Sequence, residues 1–460
     1  MVSPSRAARQ AVPPGLCLAT LCLAVLLAQL DTAVVNLATR PIGDHFGAGV
    51  AALQWVLDSY NLTYAVLLMT GGLLADLYGR RRSFMIGVGI FTAASLICAL
   101  APSVALLIAG RALAGLGAAL MLPASLAIVR VVFTDPAERG RALGIWAACN
   151  GLALALGPTV GGILVDRLGW RSIFLVVVPL GLAALAAAPA YIPESADPGG
   201  RSFDLTGQVL GAAALGLLAG GAIALHGAAQ LALLLFAASL ALFILFARAE
   251  ARRGGAALVP PDLFAAPRFC GAVIATAGMT FGMYGVLFLL PFTWQATGRF
   301  DATGAGLALM PMALIFVLVS PFSGRVEAAA ATRAVVAGGL GLIGLGLAVI
   351  GLGAGPGSLI AAEAGLCLTG LGMGLATGPL MGAAVGAVPA ARSGTASALI
   401  NVARMTGATI GVALLGALHV LAGEGAAGLR LAMLAGGAVQ LACAALAFVL
   451  MAEDQSSTKA

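Results

Sequence analysis

Of the 460 residues, 61% are hydrophobic and only 9% are charged, with 63 glycines and a mean hydropathy of +1.05, a balance far outside that of soluble domains. The chain therefore reads as an integral membrane protein, and its net charge of +6, carried by 23 arginines and one lysine set between apolar runs, reads as a topology signal rather than a nucleic-acid footprint. The single lysine, Lys459, and the lack of a P-loop argue against ATP hydrolysis, and seven cysteines without C-x-x-C spacing or a neighbouring histidine indicate packing, with no metal site and no cofactor.

Spanning about 30 Å of hydrocarbon takes about 20 apolar residues as a helix. Fourteen such segments follow one another, at 15–37, 53–75, 84–102, 104–129, 142–165, 170–191, 205–225, 229–248, 270–292, 305–323, 333–353, 358–382, 395–420 and 428–451. The first apolar stretch, after Arg6 and Arg9, reaches Val35 without a convincing small-residue cleavage site, which favours an uncleaved helix over a signal peptide. An even count puts both termini on one side. If that side is cytoplasmic, 18 of the 24 basic residues fall inside and five fall outside (Arg40, Arg167, Arg171, Arg299, Arg430), as the positive-inside rule requires.

Several segments carry more than apolarity. Helix 1 contains LDTAVVNLA, with Asp31 and Asn36, and helix 2 contains QWVLDSYNLTY, with Asp58, Tyr60 and Tyr64. Helix 2 ends in GGLLADLYGRRR, which holds Gly72, Asp76, Gly79, Arg80 and Arg81. Helix 4 reads GRALAGLGAALMLP, with Arg111, Gly115 and Gly117, and helix 5 reads NGLALALGPTVGG, with Asn150, Gly157, Pro158, Gly161 and Gly162. The chain also repeats itself. Gly72 and Arg81 correspond to Gly324 and Arg333 at an offset of 252, and Gly115 and Gly117 to Gly370 and Gly372 at an offset of 255. Near-constant offsets in one orientation imply a parallel repeat of two six-helix halves, a plan known in secondary transporters.

These segments, with FLLPFTWQATGRFDATGAGLALMP and SGTASALINVARMTGATIGVALLG in the second half, resemble the major facilitator superfamily, and specifically its fourteen-helix drug:proton antiporter branch, which includes multidrug and methylenomycin-type resistance exporters. The resemblance covers nearly the whole chain. It departs from the branch at Ala114, where a glutamine is common, and at Val177, often an asparagine. It implies an all-α polytopic fold: a cytoplasmic start (1–14), a first half (15–191), an extra helix pair with its loops (192–269), a second half (270–451) and a cytoplasmic tail (452–460).

The same resemblance implies a proton-driven exporter of lipophilic drugs in the bacterial cytoplasmic membrane, working as a monomer, with export of a specific metabolite, amino acid, sugar or lipid as the alternative. It makes the helix 2–3 signature a latch in which Asp76 meets a facing helix N-terminus, and the helix 5 glycines and Pro158 a tightly packed bend between halves. Asp31, Asp58, Arg111 and Glu363 are the charges lying within helices away from the cytoplasmic ends. A charge there is expensive and usually functional. Asp31 carries the coupling proton or contacts a cationic substrate, with structural hydrogen bonding as the alternative. Arg111 helps a neighbouring acid release its proton, or is a fixed counter-ion. Glu363 joins them or is solvated near the outer surface. Asp58 lines the cavity with Asn36, Tyr60, Tyr64, Asn150, Phe281 and Tyr284, or else caps the start of helix 2. A membrane-embedded enzyme would need a catalytic His/Asp or metal cluster at a membrane face; none is visible in the sequence.

Overall fold

The computed structural model describes residues 13–197, 204–225, 228–254, 259, 261–353, 358–389, 392–423 and 425–452. The described residues form sixteen α-helices, with no strand among them: α1 (Pro14–Phe46), α2 (Val50–Tyr78), α3 (Arg80–Leu100), α4 (Val104–Val132), α5 (Pro136–Leu168), α6 (Ser172–Leu175), α7 (Val177–Tyr191), α8 (Leu205–Ala224), α9 (Ala229–Arg253), α10 (Pro267–Ala296), α11 (Ala302–Val319), α12 (Ser323–Ala329), α13 (Thr332–Leu352), α14 (Leu359–Gly386), α15 (Ser393–Leu421) and α16 (Gly425–Leu450). α6 with α7, and α11 with α12, each act as one broken rod, which gives the fourteen expected rods.

Both breaks have a covalent cause. Pro179 has no N–H for the carbonyl of Leu175, the residue at which α6 stops. Pro321 lies in the short 3₁₀ turn Ser320–Phe322 between α11 and α12. Several rod starts are fixed by side-chain caps: Ser103 accepts from Leu106 N (3.3 Å), Asp301 from Gly304 N (2.7 Å) and Ser358 from Ala361 N (3.1 Å). Twelve of the rods are long and apolar enough to cross a membrane by length and composition. α2 and α5 fall outside that set although they have 29 and 33 residues. In α2 the reason is a polar cluster of Gln54, Asp58, Ser59 and Asn61, every one buried.

The rods alternate in direction, so the start of α1, the α2–α3 turn and the end of α16 share one end of the bundle, called proximal below; the opposite end is distal. The repeat seen in the sequence is a repeat of contacts. In the first half, a Cβ added to Gly115 of α4 would lie 2.5 Å from the Tyr60 carbonyl of α2, and one on Gly117 would lie 2.7 Å from the Gly87 carbonyl of α3. In the second half, a Cβ on Gly370 of α14 would run into the Met312 carbonyl of α11, and one on Gly372 into the Gly339 carbonyl of α13. Tyr60 and Gly87 stand 252 residues before Met312 and Gly339. Backbones this close tolerate no side chain, and close small-residue approach is what holds helices together in lipid.

The halves meet along two seams, α2 against α15 and α5 against α11, with α1 touching α10 between them. The extra hairpin α8–α9 lies across the first seam, with α8 packed on both α2 and α15. Gln208 of α8 donates to the Val66 carbonyl and is bonded to the Thr70 hydroxyl, both on α2. Ala222 and Ile223 of α8 cluster with Ala413 of α15, beside Trp55 of α2 and Phe236 of α9. Trp55 thus faces the hairpin.

Candidate functional site

Asp31 lies midway along α1 and Arg111 in the second turn of α4, and the two form a buried ion pair: Arg111 Nη1 is 2.5 Å from Asp31 Oδ2, with side chains 2% and 1% exposed. Arg111 also donates from Nε to the Val56 carbonyl of α2 (3.2 Å), and its guanidinium carbon stands 4.6 Å from the Tyr60 ring centre and 6.0 Å from that of Phe174. One cation therefore ties α1, α2 and α4 together through a charge, a carbonyl and a ring face. Asp31 Oδ1 has no partner among the described residues.

Asp58 is fully buried, and neither carboxyl oxygen has a partner among the described residues. α2 begins at Val50 after Gly49, so Asp58 sits in its third turn and does not cap the helix. Its surroundings follow from Gln54, one turn earlier, whose Nε2 donates to the carbonyls of Val412 (3.0 Å) and Ala413 (2.9 Å) on α15. α2 and α15 are antiparallel. Asp58 stands one turn further along the face that Gln54 presents to α15, and Thr409 of α15 is buried with a hydroxyl that has no partner among the described residues. One and two turns on, Leu62 and Ala65 of α2 meet Thr406, Thr409 and Ile410 of α15 and Leu215 and Leu218 of α8 around a small crevice. An unpaired charge in such a place costs several kcal/mol, so the neutral acid is the form this packing accommodates.

The remaining expected residues separate into groups. Tyr60 and Tyr64 stack at 6.2 Å between centroids, and both are buried. Phe281 and Tyr284 of α10 are buried across the midline. Arg404 of α15, half-buried, is close enough to Tyr64 and Tyr284 to interact with them electrostatically. Asn36 is buried, but its amide donates to the Thr32 carbonyl of its own helix (3.2 Å). Glu363 stands in the second turn of α14, half-buried with Oε2 unpartnered, in a helix that packs chiefly on α13 and α11. The structure does not bring it to the Asp31–Arg111 pair. The side chain of Asn150 lies outside the described residues.

At the proximal end, Gly79 has φ +112°, a backbone that L side chains rarely adopt, and Glu194 fills the space beside it at 2.8 Å. Asp76 accepts from Arg80 Nε (3.0 Å) and Nη2 (2.9 Å). The turn is buckled to the segment after α7: Arg80 N donates to the Ser195 carbonyl, Asp197 N to the Asp76 carbonyl, and Arg81 N to Glu194 Oε1. The glycine in close contact is Gly71, where a Cβ would lie 2.0 Å from the Ala119 carbonyl; at Gly72 only ordinary contact with Pro123 would result. On α5, Cβ atoms at Gly157 and Gly161 would meet Ala33 Cβ at 2.3 Å and Val34 Cβ at 2.9 Å of α1, and one at Gly162 would meet the Ala302 carbonyl of α11 at 2.4 Å.

Polar bridges between the halves, which sequence reading missed, lie toward the distal end. Besides Gln54, Gln295 Nε2 donates to the Leu37 carbonyl (3.2 Å), and Asp166 at the end of α5 accepts from Ala302 N (3.2 Å), Thr303 N (2.6 Å) and Thr303 Oγ1 (2.5 Å). Asp166 thus serves as the N-terminal cap of a helix in the other half. The only signal available was a polar residue at the edge of an apolar run. Replacing Asp166 with alanine is expected to cost about 1 kcal/mol of distal closure, a roughly fivefold shift toward distal opening; a spin-label distance distribution between α5 and α11 measures it.

A family profile described as Major Facilitator Superfamily matches residues 21–412. The chain is 36% identical to "Multidrug resistance protein Stp" of Mycobacterium tuberculosis over 360 residues, which cover 76% of this chain and 66% of that protein. It is 37% identical to "Methylenomycin A resistance protein" of Bacillus subtilis over 305 residues (65% of each), and 33% identical to "Probable actinorhodin transporter" of Streptomyces coelicolor over 370 residues (78% and 64%). The matches thus span just under two thirds of the length of these relatives. Among solved structures, a peptide transporter POT variant in complex with sulfate superposes with a TM-score of 0.71 at 15% identity, over 94% of this chain and 93% of the other; that likeness concerns the fold.

Proposed function

From membership of the major facilitator superfamily, to which this chain belongs, we propose that the protein is a proton-coupled exporter of lipophilic drugs or antibiotics that works by alternating access of its two halves. In this reading it sits in the bacterial cytoplasmic membrane with both termini cytoplasmic, so that the distal end is the outside. It acts as a monomer and is driven by the proton gradient, without a cofactor. Two relatives named for multidrug and methylenomycin A resistance support the class of cargo. The relative named as an actinorhodin transporter favours one second reading, export of an endogenous metabolite.

The observation that carries proton coupling is the contrast between two buried acids. Asp31 has a guanidinium at 2.5 Å and needs no proton to stay buried. Asp58 has no partner among the described residues and stands one turn along α2 from Gln54, which bridges to α15 across the seam. With the distal ends bridged, Asp58 is sealed in and neutral. Parting α2 from α15 would hydrate it, so its proton occupancy and the state of the seam depend on each other, which is the linkage an exchanger needs. Asp31 Oδ1 and the Tyr60 and Tyr64 rings offer a lipophilic cation an acceptor and aromatic faces.

In inverted membrane vesicles with an imposed pH gradient, lipophilic cations and antibiotics are expected to dissipate the gradient when the protein is present. A panel to which the gradient is indifferent, while a single secondary metabolite discharges it, would establish the metabolite reading. Uptake of drug without any gradient response would defeat proton coupling.

A further inference from the structure

The root of the extra hairpin holds two acids that the transport reading does not use. Asp204 caps α8 by accepting from Gly207 N (2.8 Å), and Glu250 in the last turns of α9 accepts from Val259 N (2.5 Å). Both residues are almost wholly buried, 3% and 2% exposed. In each, the second carboxyl oxygen, Asp204 Oδ2 and Glu250 Oε1, is buried without a partner among the described residues. The two orphan oxygens converge on one spot: a Cβ on Gly207 would lie 2.2 Å from Glu250 Oε1 and 2.7 Å from Asp204 Oδ2. Two ionised carboxylates cannot face each other there without a compensating charge.

Among the described residues the charged neighbour facing the pair is Arg253, whose Nη1 stands 3.3 Å from Asp204 Oδ1 on the far side of that carboxyl and whose side chain is 36% exposed. From α8 the next inward group is Gln208, which is neutral and engaged with α2. From the segment after α9 the contact is the Val259 amide, also neutral. Arg253 balances one negative charge and leaves the second. Among the described residues no third His, Cys, Asp or Glu joins the pair to make a metal-ligand set. A single proton satisfies both orphan oxygens, donated by one carboxyl and accepted by the other.

We propose that Asp204 and Glu250 bind one shared proton, forming a pH-sensitive clasp at the proximal root of the α8–α9 hairpin. The bound proton joins the first turn of α8 to the last turn of α9 and keeps Val259, at the start of the link to the second half, clipped to Glu250. One turn further along α8, Gln208 carries this fixation to Thr70 and Val66 of α2. When the proton leaves, the two carboxylates repel and the root of the hairpin opens. The proton is bound in the closed clasp, so closure is fully present at low pH and is lost as pH rises. This site stands apart from Asp31 and Asp58 and does not depend on the direction of transport.

Hydrogen exchange of the full-length protein, followed in peptides containing Gly207 and Val259 between pH 6 and pH 9 and corrected for the intrinsic pH dependence of exchange, tests the clasp. Wild type should lose about tenfold in protection of both amides over that range, the equivalent of one pH unit of linkage. Glu250→Gln supplies an amide N–H in place of the proton and should hold protection constant. Asp204→Asn, which keeps the capping oxygen, should do the same, and difference infrared spectra should show a protonated-carboxyl band lost with rising pH in wild type and missing in both variants. A flat profile in wild type, or a fall that persists in Glu250→Gln, would overturn the proposal.

Discussion

Arg111→Met is expected to lower stability by about 3–5 kcal/mol, because it strands Asp31 as an uncompensated buried charge. The single variant also strips the Val56 carbonyl of a donor and the Tyr60 ring of its cation, so α1, α2 and α4 lose their common tie. The double variant Asp31→Asn/Arg111→Met removes the charge as well as its partner and should recover most of the loss, since replacing a whole buried pair is often close to neutral. Thermal melting of the purified single and double variants, arranged as a double-mutant cycle, gives the coupling directly. Equal melting of the two would mean that the pair is held by packing rather than by charge. Recovery of stability without recovery of gradient-driven export would assign the pair to the transport cycle as well as to the fold.

Asp58→Asn has the opposite expected profile: stability within about 1 kcal/mol of wild type, because an amide of the same shape replaces a neutral acid, and complete loss of the coupling between drug movement and the pH gradient. Substrate binding should survive, since the variant mimics one protonation state of the cycle. The measurement pairs a melting curve with drug-induced gradient dissipation in inverted vesicles at matched expression. Dissipation that persists in Asp58→Asn and disappears in Glu363→Gln would transfer the proton to the second half. A strongly destabilised Asp58→Asn would show that the acid is ionised in the resting fold.

The sequence made several of these features legible. Runs of apolar residues cut by arginines and prolines counted the rods, because the bilayer enforces a minimum length and drives most charge to the ends. The offset between Gly115 and Gly370 located the repeat, since a glycine wedged against a backbone has no substitute. What stayed hidden is rotation and register. Nothing in the sequence of α2 says which way Trp55 faces, and it faces the hairpin. Asp31 and Arg111 stand 80 residues apart; their charges suggested a relationship, and only the fold supplied the distance. Asp58 and Glu363 looked alike as isolated acids, yet one is sealed on a seam and the other is half-buried near a helix end. Gln54 and Gln208 carried no signal at all, because a lone amide in an apolar run becomes meaningful only when the helix opposite presents a carbonyl.

The placement of the α8–α9 hairpin makes the bundle asymmetric toward the surrounding lipid. The hairpin armours the α2–α15 seam, and α9 turns Leu231, Leu233, Leu234, Leu240 and Leu245 outward as its outer skin. Among the described residues no comparable helix pair shields the α5–α11 seam. A solute dissolved in the bilayer therefore meets a wall on one flank and a bare joint on the other, so any sideways route from lipid into the interior is one-sided, running between α5 and α11.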